Sequence, residues 1–153
     1  MGFFPICLDM TDRCCVVVGG GRVAERKIGK ILSYGARIRV VSPMISLGLR
    51  QLLYQDQIEW QERSYRAEDL DGAYLVIAAT PKEVINRKVA QDAKARGILV
   101  NVVDSARESS CIFPAVLEED GVIVAVSSNG RSPGLSKRIR DRFKGVIDSG
   151  LKG

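Results

Sequence analysis

Residues Val16 to Lys27 read VVVGGGRVAERK. Three branched apolar residues stop at three glycines, and the chain then turns polar. Extended with Cys14 and Cys15, the apolar run is short and ends in glycine, the pattern of a buried β-strand. Beyond the glycines, Ala24, Ile28, Ile31 and Leu32 fall at i, i+4, i+7 and i+8, one face of an α-helix. Gly35 is placed to end that helix. The stretch therefore predicts strand, tight turn and helix.

The same alternation continues outward. Arg37 to Ser42 (RIRVVS) reads as a second strand closed by Ser42-Pro43. A helix is expected around Ile45 to Tyr54 and a strand near Ile58 to Glu62. Ala73 to Thr80 (AYLVIAAT) is another buried strand. Thr80-Pro81-Lys82-Glu83 then has the form of a capping box, with Thr80 as N-cap of a helix running to Arg96 and Gly97 closing it. Ile98 to Val103 (ILVNVV) is a fifth strand. Strands alternating with helices predict an α/β fold, a Rossmann-like, doubly wound parallel sheet of about five strands.

In that setting the glycines acquire a purpose. Gly19, Gly21 and Ala24 form G-x-G-x-x-A at the first strand-to-helix turn. Gly19 lets the chain turn tightly, Gly21 lets backbone approach a pyrophosphate without a Cβ between, and Ala24 keeps the helix close to the sheet. A diphosphate would sit at the helix N-terminus, where free N–H groups and the helix dipole favour negative charge. The expected ligand is a dinucleotide. The usual ribose-binding acid at the end of the second strand is missing, for that place reads Val40-Val41-Ser42-Pro43. Ser42 is available to a ribose hydroxyl, and no arginine follows at once to invite a 2′-phosphate. NAD is the expected cofactor, with modest discrimination.

Composition narrows the chemistry. The chain has 153 residues, 46% of them hydrophobic, enough for a sizeable core. It contains no histidine, which argues against zinc-enzyme and Ser-His-Asp chemistry. Cys7, Cys14, Cys15 and Cys111 make no C-x-x-C pair and read as small buried hydrophobes in a reducing compartment, so no metal site is expected. No apolar run approaches a membrane span, and the first residues lack the form of a signal peptide, so a cytoplasmic protein without membrane association is expected. A net charge of +5 suits an anionic ligand but does not choose among a solvated surface, a small molecule and nucleic acid.

After Asp104 the rhythm changes. Two strands around Glu119-Asp120-Gly121 read as a hairpin. Ser132 and Pro133 open a last helix, with Leu135, Ile139, Phe143, Val146 and Ile147 as its apolar stripe. We place a dinucleotide-binding domain at residues 1–104 and a second unit at 105–153. The second unit has too thin a core to stand alone, and packs on the first or on a partner chain. Asp104, at the carboxyl end of the fifth strand and beside Thr80, reads as a turn or cap residue or as a proton acceptor. Ser127-Ser128-Asn129-Gly130 reads as a plain turn or as a holder of carboxylates.

Four stretches together resemble one family. GGGRVAERK at Gly19 to Lys27, AAT at Ala78 to Thr80, NVVD at Asn101 to Asp104, and AVSSNGRSPGLSKRIR at Ala125 to Arg140 are similar to precorrin-2 dehydrogenase, the dehydrogenase and ferrochelatase part of siroheme synthase. The likeness runs from Pro5 to about Phe143. It implies NAD-dependent oxidation of precorrin-2 to sirohydrochlorin, with ferrous iron insertion in some members. It implies a catalytic role for Asp104, substrate contact at Ser128, and cofactor contacts at Arg22, Val23 and the Pro43 region; beside these, Asn129 and Gly130 are candidate substrate residues, and Ala79 and Thr80 candidate cofactor residues. It also implies a tetrapyrrole substrate and a homodimer joined through the segment after Asp104, which makes the hairpin and helix a dimerisation unit. The family continues into a helical region that helps cover the substrate, and the sequence as given ends before it.

Two other classes compete. A regulatory NAD-binding domain shares the first hundred residues' pattern but predicts no redox chemistry. A nucleic-acid module would use the basic last helix, yet no aromatic-basic interleaving supports it, and no nucleic acid partner is expected.

Overall fold

The computed structural model describes residues 2–103 and 105–150, with side chains through Lys144. The chain divides into two compact units, one spanning Pro5–Cys111, the other formed by the N-terminal residues up to Phe4 and the chain from Ile112 on. The break lies after Cys111 rather than after Asp104. Ser109, Ser110 and Cys111 are tied back to the last strand of the first unit. The Ser110 N–H donates to Val100 O at 2.8 Å, and Ser110 Oγ accepts from Val100 N–H at 2.8 Å.

The first unit contains β1 (Cys14–Val18), α1 (Arg22–Leu32), β2 (Arg37–Val41), α2 (Leu47–Tyr54), β3 (Ile58–Gln61), a 3₁₀ turn at Ala67–Leu70, β4 (Leu75–Ala78), α3 (Glu83–Ala95) and β5 (Leu99–Val102). All five strands are parallel, in the order β3-β2-β1-β4-β5. This is the doubly wound arrangement expected, with β1 central and the strand order reversing beside it.

Both faces of the sheet are buried, as parallel sheets require. On one face Val16, Val18, Val76, Val100 and Val102 pack with Val89, Ala90 and Ala93 of α3 and with Leu70. Alternation turns Asn101, between Val100 and Val102, to the other face. There Lys27 Nζ, from α1, donates to Asn101 Oδ1 at 2.8 Å. Ala24 and Ile28 of α1 are fully buried. The two helices thus cover opposite faces, and the only polar side chain in β5 is satisfied from α1 and from Cys111 O.

Several boundaries differ from the sequence expectation. Helix α2 starts at Leu47, because Ser46 caps it by accepting the Leu49 N–H at 3.3 Å. Helix α3 starts at Glu83 with Lys82 as N-cap, so Thr80 is not the cap. Nor are all four cysteines buried: Cys15 is, Cys14 and Cys111 are half-buried, and Cys7 is exposed.

The second unit holds an antiparallel hairpin, β6 (Ala115–Glu119) and β7 (Val122–Val126), and α4 (Pro133–Gly150). Asp120 (φ 49°) and Gly121 (φ 77°) are both left-handed, as a two-residue type I′ turn demands. Ser132 Oγ accepts the Leu135 N–H at 3.4 Å, in keeping with the expected cap of α4. Of the expected stripe, Val146 and Ile147 carry side chains outside the described residues.

Candidate functional site

The carboxyl ends of β1, β2 and β4 open into a cleft of about 630 Å³. That size suits a small organic ligand. Its walls are the glycine turn from Gly19 to Arg22, the β2–α2 loop from Ser42 to Ser46, Ser64 and Tyr65 beyond β3, and the β4–α3 loop from Thr80 to Lys82. Arg22 and Lys82 bring positive charge to the lining, which contains no carboxylate among the described residues.

The three glycines have different tasks. Gly19 is left-handed (φ 115°), and a Cβ there would lie 2.4 Å from Ala79 O. Gly20 sits against the β2–α2 loop, where a Cβ would lie 2.1 Å from Met44 O. Its own carbonyl accepts the Ser46 N–H at 2.8 Å. These two glycines let the turn pass between its neighbours. Around Gly21 nothing lies within 4 Å of a Cβ position. Packing within the protein therefore does not call for glycine there, and its bareness matters only toward the open cleft.

Gly21 is also the N-cap of α1, and no side chain caps that helix. The first helical hydrogen bond runs from Glu25 N–H to Gly21 O at 3.0 Å. The N–H groups of the first turn are left without intrahelical acceptors, at the positive end of the helix dipole. An uncapped N-terminus, a residue with room for a phosphate and an electropositive lining fit a dinucleotide's diphosphate.

Ser42 lines the cleft, but its hydroxyl donates to Met44 O at 2.7 Å, and the residue is only 8% exposed. Its proton is spent within the loop, so toward a ribose it has only a lone pair to offer. Its carbonyl accepts from Trp60 Nε1 at 2.9 Å. Pro43 forms part of the same wall.

Thr80 also lines the cleft, held by a residue that the sequence reading missed. Asn86 Oδ1 accepts from the Thr80 N–H at 3.0 Å and from Thr80 Oγ1 at 2.7 Å, while Asn86 Nδ2 donates to Thr80 O at 2.9 Å. This clasp takes the groups that a capping box would have used. Tyr65, another lining residue, donates its hydroxyl to Asp92 Oδ2 at 2.9 Å. Burial, and next the bond to Asp92, push the Tyr65 pKa upward.

The cleft thus gathers Gly19, Gly21, Arg22, Ser42, Pro43 and Thr80. It does not include Val23, which is exposed, or Ala79, whose carbonyl backs Gly19. Asp104 lies outside the described residues. In the second unit, Ser128 to Arg131 form a turn closed by Arg131 N–H to Ser128 O at 3.0 Å, with Asn129 (φ 54°) and Gly130 (φ 76°) both left-handed. Ser128 Oγ accepts the Ser132 N–H at 2.9 Å, and Asn129 Oδ1 accepts the Phe3 N–H at 3.3 Å. Among the described residues no helix is long and apolar enough to cross a membrane.

Comparison with known proteins bears on both units. A family model described as "Putative NAD(P)-binding" matches residues 6–115, and one described as "Sirohaem biosynthesis protein central" matches residues 124–145. Siroheme synthase 1 of Serratia proteamaculans (strain 568) is 40% identical over 151 residues, covering 99% of this chain and 32% of the relative. Siroheme synthase of Pseudomonas aeruginosa (strain LESB58) is 44% identical over 149 residues, covering 97% and 32%. The chain therefore spans about a third of the length of these curated relatives. Among solved structures, one described as "SirC, precorrin-2 dehydrogenase" superposes with a TM-score of 0.81 at 29% identity, over 94% of this chain and 71% of that one.

Proposed function

The chain belongs to the family that unites precorrin-2 dehydrogenase with the N-terminal part of siroheme synthase, and from that premise we propose that it oxidises precorrin-2 to sirohydrochlorin with NAD. Its first unit is an NAD(P)-binding domain. The observation that carries the reading is the uncapped N-terminus of α1, facing the cleft beside the open position at Gly21.

The cofactor, when bound, supplies a hydride acceptor. The N–H groups at the start of α1 and the Arg22 guanidinium would hold its diphosphate. The β2–α2 loop would receive the adenosine half, and Thr80, fixed by Asn86, would border the half that reacts. Dehydrogenation removes one hydride and one proton from the substrate. The proton needs an acceptor, and we assign it to the Asp104 carboxylate, as in the family the chain resembles. Ser128, Asn129 and Gly130 would receive substrate carboxylates. The working form would be a cytoplasmic homodimer built through the second unit, and ferrous iron would be a second substrate, for insertion into sirohydrochlorin.

Mixing the protein with NAD and precorrin-2 and following the absorbance of sirohydrochlorin tests the reading. Stoichiometric formation of NADH and sirohydrochlorin is expected. NAD binding without turnover would point instead to a regulatory nucleotide-binding domain.

A further inference from the structure

Dinucleotide folds that refuse a 2′-phosphate usually carry an acid at the end of the second strand. Here that strand ends in Val41-Ser42-Pro43, and the loop onward to Leu49 contains no acid and no base. A carboxylate nonetheless stands at this wall. It comes from Glu25, in the first turn of α1. Ser46, which lines the cleft and caps α2, donates its hydroxyl to Glu25 Oε2 at 2.5 Å. The neighbouring Gly48 lacks the Cβ that would lie 2.3 Å from Glu25 Oε1. The carboxylate is thus seated against the N-terminal turn of α2, one hydrogen bond behind the cleft wall.

We infer that Glu25 is the residue that makes this site discriminate against a 2′-phosphate, and so select NAD over NADP. The inference rests on the dinucleotide reading of the cleft. The N-terminal turn of α2 borders the β2–α2 loop, and its dipole would favour a phosphate there. Glu25 brings a negative charge to that place and engages the cap hydroxyl. A dianionic phosphate brought to the same wall meets a like charge. Two further features leave the phosphate without support. Ser42 has turned its hydroxyl proton to Met44 O. Arg63, two residues beyond β3, is forked onto Asp69, with Nη1 2.9 Å from Oδ2 and Nη2 2.5 Å from Oδ1. The cations that do line the cleft serve both cofactors alike. Arg22 belongs to the diphosphate turn, and Lys82 follows β4, on the far side of central β1.

The charge is therefore supplied from the helix that starts the dinucleotide turn, not from the strand that usually carries it. Calorimetric titration of the whole chain with NAD and with NADP tests this. Glu25→Gln keeps an acceptor for Ser46 and removes the charge. The ratio of the NADP to the NAD dissociation constant is expected to fall by at least about tenfold, through tighter NADP binding. Glu25→Ala, which empties the place altogether, should move the ratio the same way, and it serves if the amide variant does not fold. A ratio within about twofold of wild type in a folded variant overturns the inference and leaves the cofactor reading standing. A wild-type protein that binds neither dinucleotide overturns both.

Discussion

The side-chain amide of Asn86 forms a closed pair of hydrogen bonds with the backbone of Thr80, accepting its N–H at 3.0 Å and donating to its carbonyl at 2.9 Å. Asn86 is 7% exposed and sits in the first turn of α3. It does for the end of β4 what another strand would do, and it fixes the cleft wall from the helix side.

Asn86→Ala leaves both backbone groups of Thr80 without these partners in a half-buried place. A loss of about 1–3 kcal/mol of folding stability is expected. Urea unfolding should show a lower midpoint with an unchanged slope. An unchanged midpoint would mean that water replaces the amide at no cost.

The glycine turn separates stability from binding. Gly20→Ala pushes a methyl against Met44 O and should destabilise the fold by about 1–3 kcal/mol. Gly21→Ser meets open space and supplies the N-cap hydroxyl that α1 lacks, so stability should hold or rise by a few tenths of a kcal/mol. The same hydroxyl and Cβ would intrude on the proposed diphosphate position. NAD affinity should therefore fall by at least about tenfold. Unfolding curves and calorimetry on the two variants check both halves, and tight NAD binding by the Gly21 variant would displace the diphosphate from this turn.

Asp69 contributes to the acid side of stability. Burial works against its ionisation, but hydrogen bonds from Arg63 and from the Arg66 N–H outweigh burial and hold its pKa below the ordinary value. A depressed folded pKa means the unfolded chain takes up the proton first as pH falls. The stabilisation is full above the unfolded value, near about 4, and is lost as pH falls through the folded value. Asp69→Asn should be less stable than wild type at pH 7, and the gap should narrow toward pH 3. A constant gap across that range would show that Asp69 does not titrate with folding.

The thiols should react in an order set by exposure and burial. Cys7 is exposed, whereas burial pushes the Cys111 pKa up to about 11, with Lys27 opposing, and raises that of Cys15 further. At pH 8 the Cys111 thiol should therefore stay almost wholly protonated. Brief alkylation followed by mass spectrometry should mark Cys7 ahead of Cys111, and Cys15 only after unfolding. Early labelling of Cys15 would place it outside the core.

Asp104→Ala should lower kcat for dehydrogenation by about 10²- to 10⁴-fold, the usual worth of a positioned acid–base group. NAD affinity should change little, because the diphosphate turn is elsewhere. Iron insertion, assayed separately, should also suffer if the carboxylate accepts a pyrrole proton. Wild-type oxidation rates in a folded variant would remove Asp104 from the mechanism.

The strand-to-helix rhythm could be read along the sequence because each buried strand and each amphipathic face is a local pattern. Of the stripe Ala24, Ile28, Ile31 and Leu32, the first three are buried as the spacing requires and Leu32 is half-buried. Long-range partners left no such mark. The signature Thr80-Pro81-Lys82-Glu83 satisfied every local rule for a cap, yet Asn86 reaches back and claims the threonine. Gly20 occupies a position that the motif leaves free, and the close passage of Met44 O and Ile45 explains it. Ser42 was legible as a cleft residue, but the direction of its hydroxyl depends on how the next two residues fold back. Glu25 could have been noticed as an acid in a helix's first turn, though nothing local connects it to Ser46.

The second unit draws on both ends of the chain, and the Phe3 N–H meets Asn129 Oδ1 across 126 positions of sequence. This sets an order of events at the ribosome. Everything from Pro5 to Cys111 is synthesised before the partner of Phe3 exists. At about 5–20 residues per second, roughly 1–4 s separate Cys111 from Asn129, ample time for the parallel sheet to form first. The segment before Pro5 is thus among the last to find its place, after the domain it leads into.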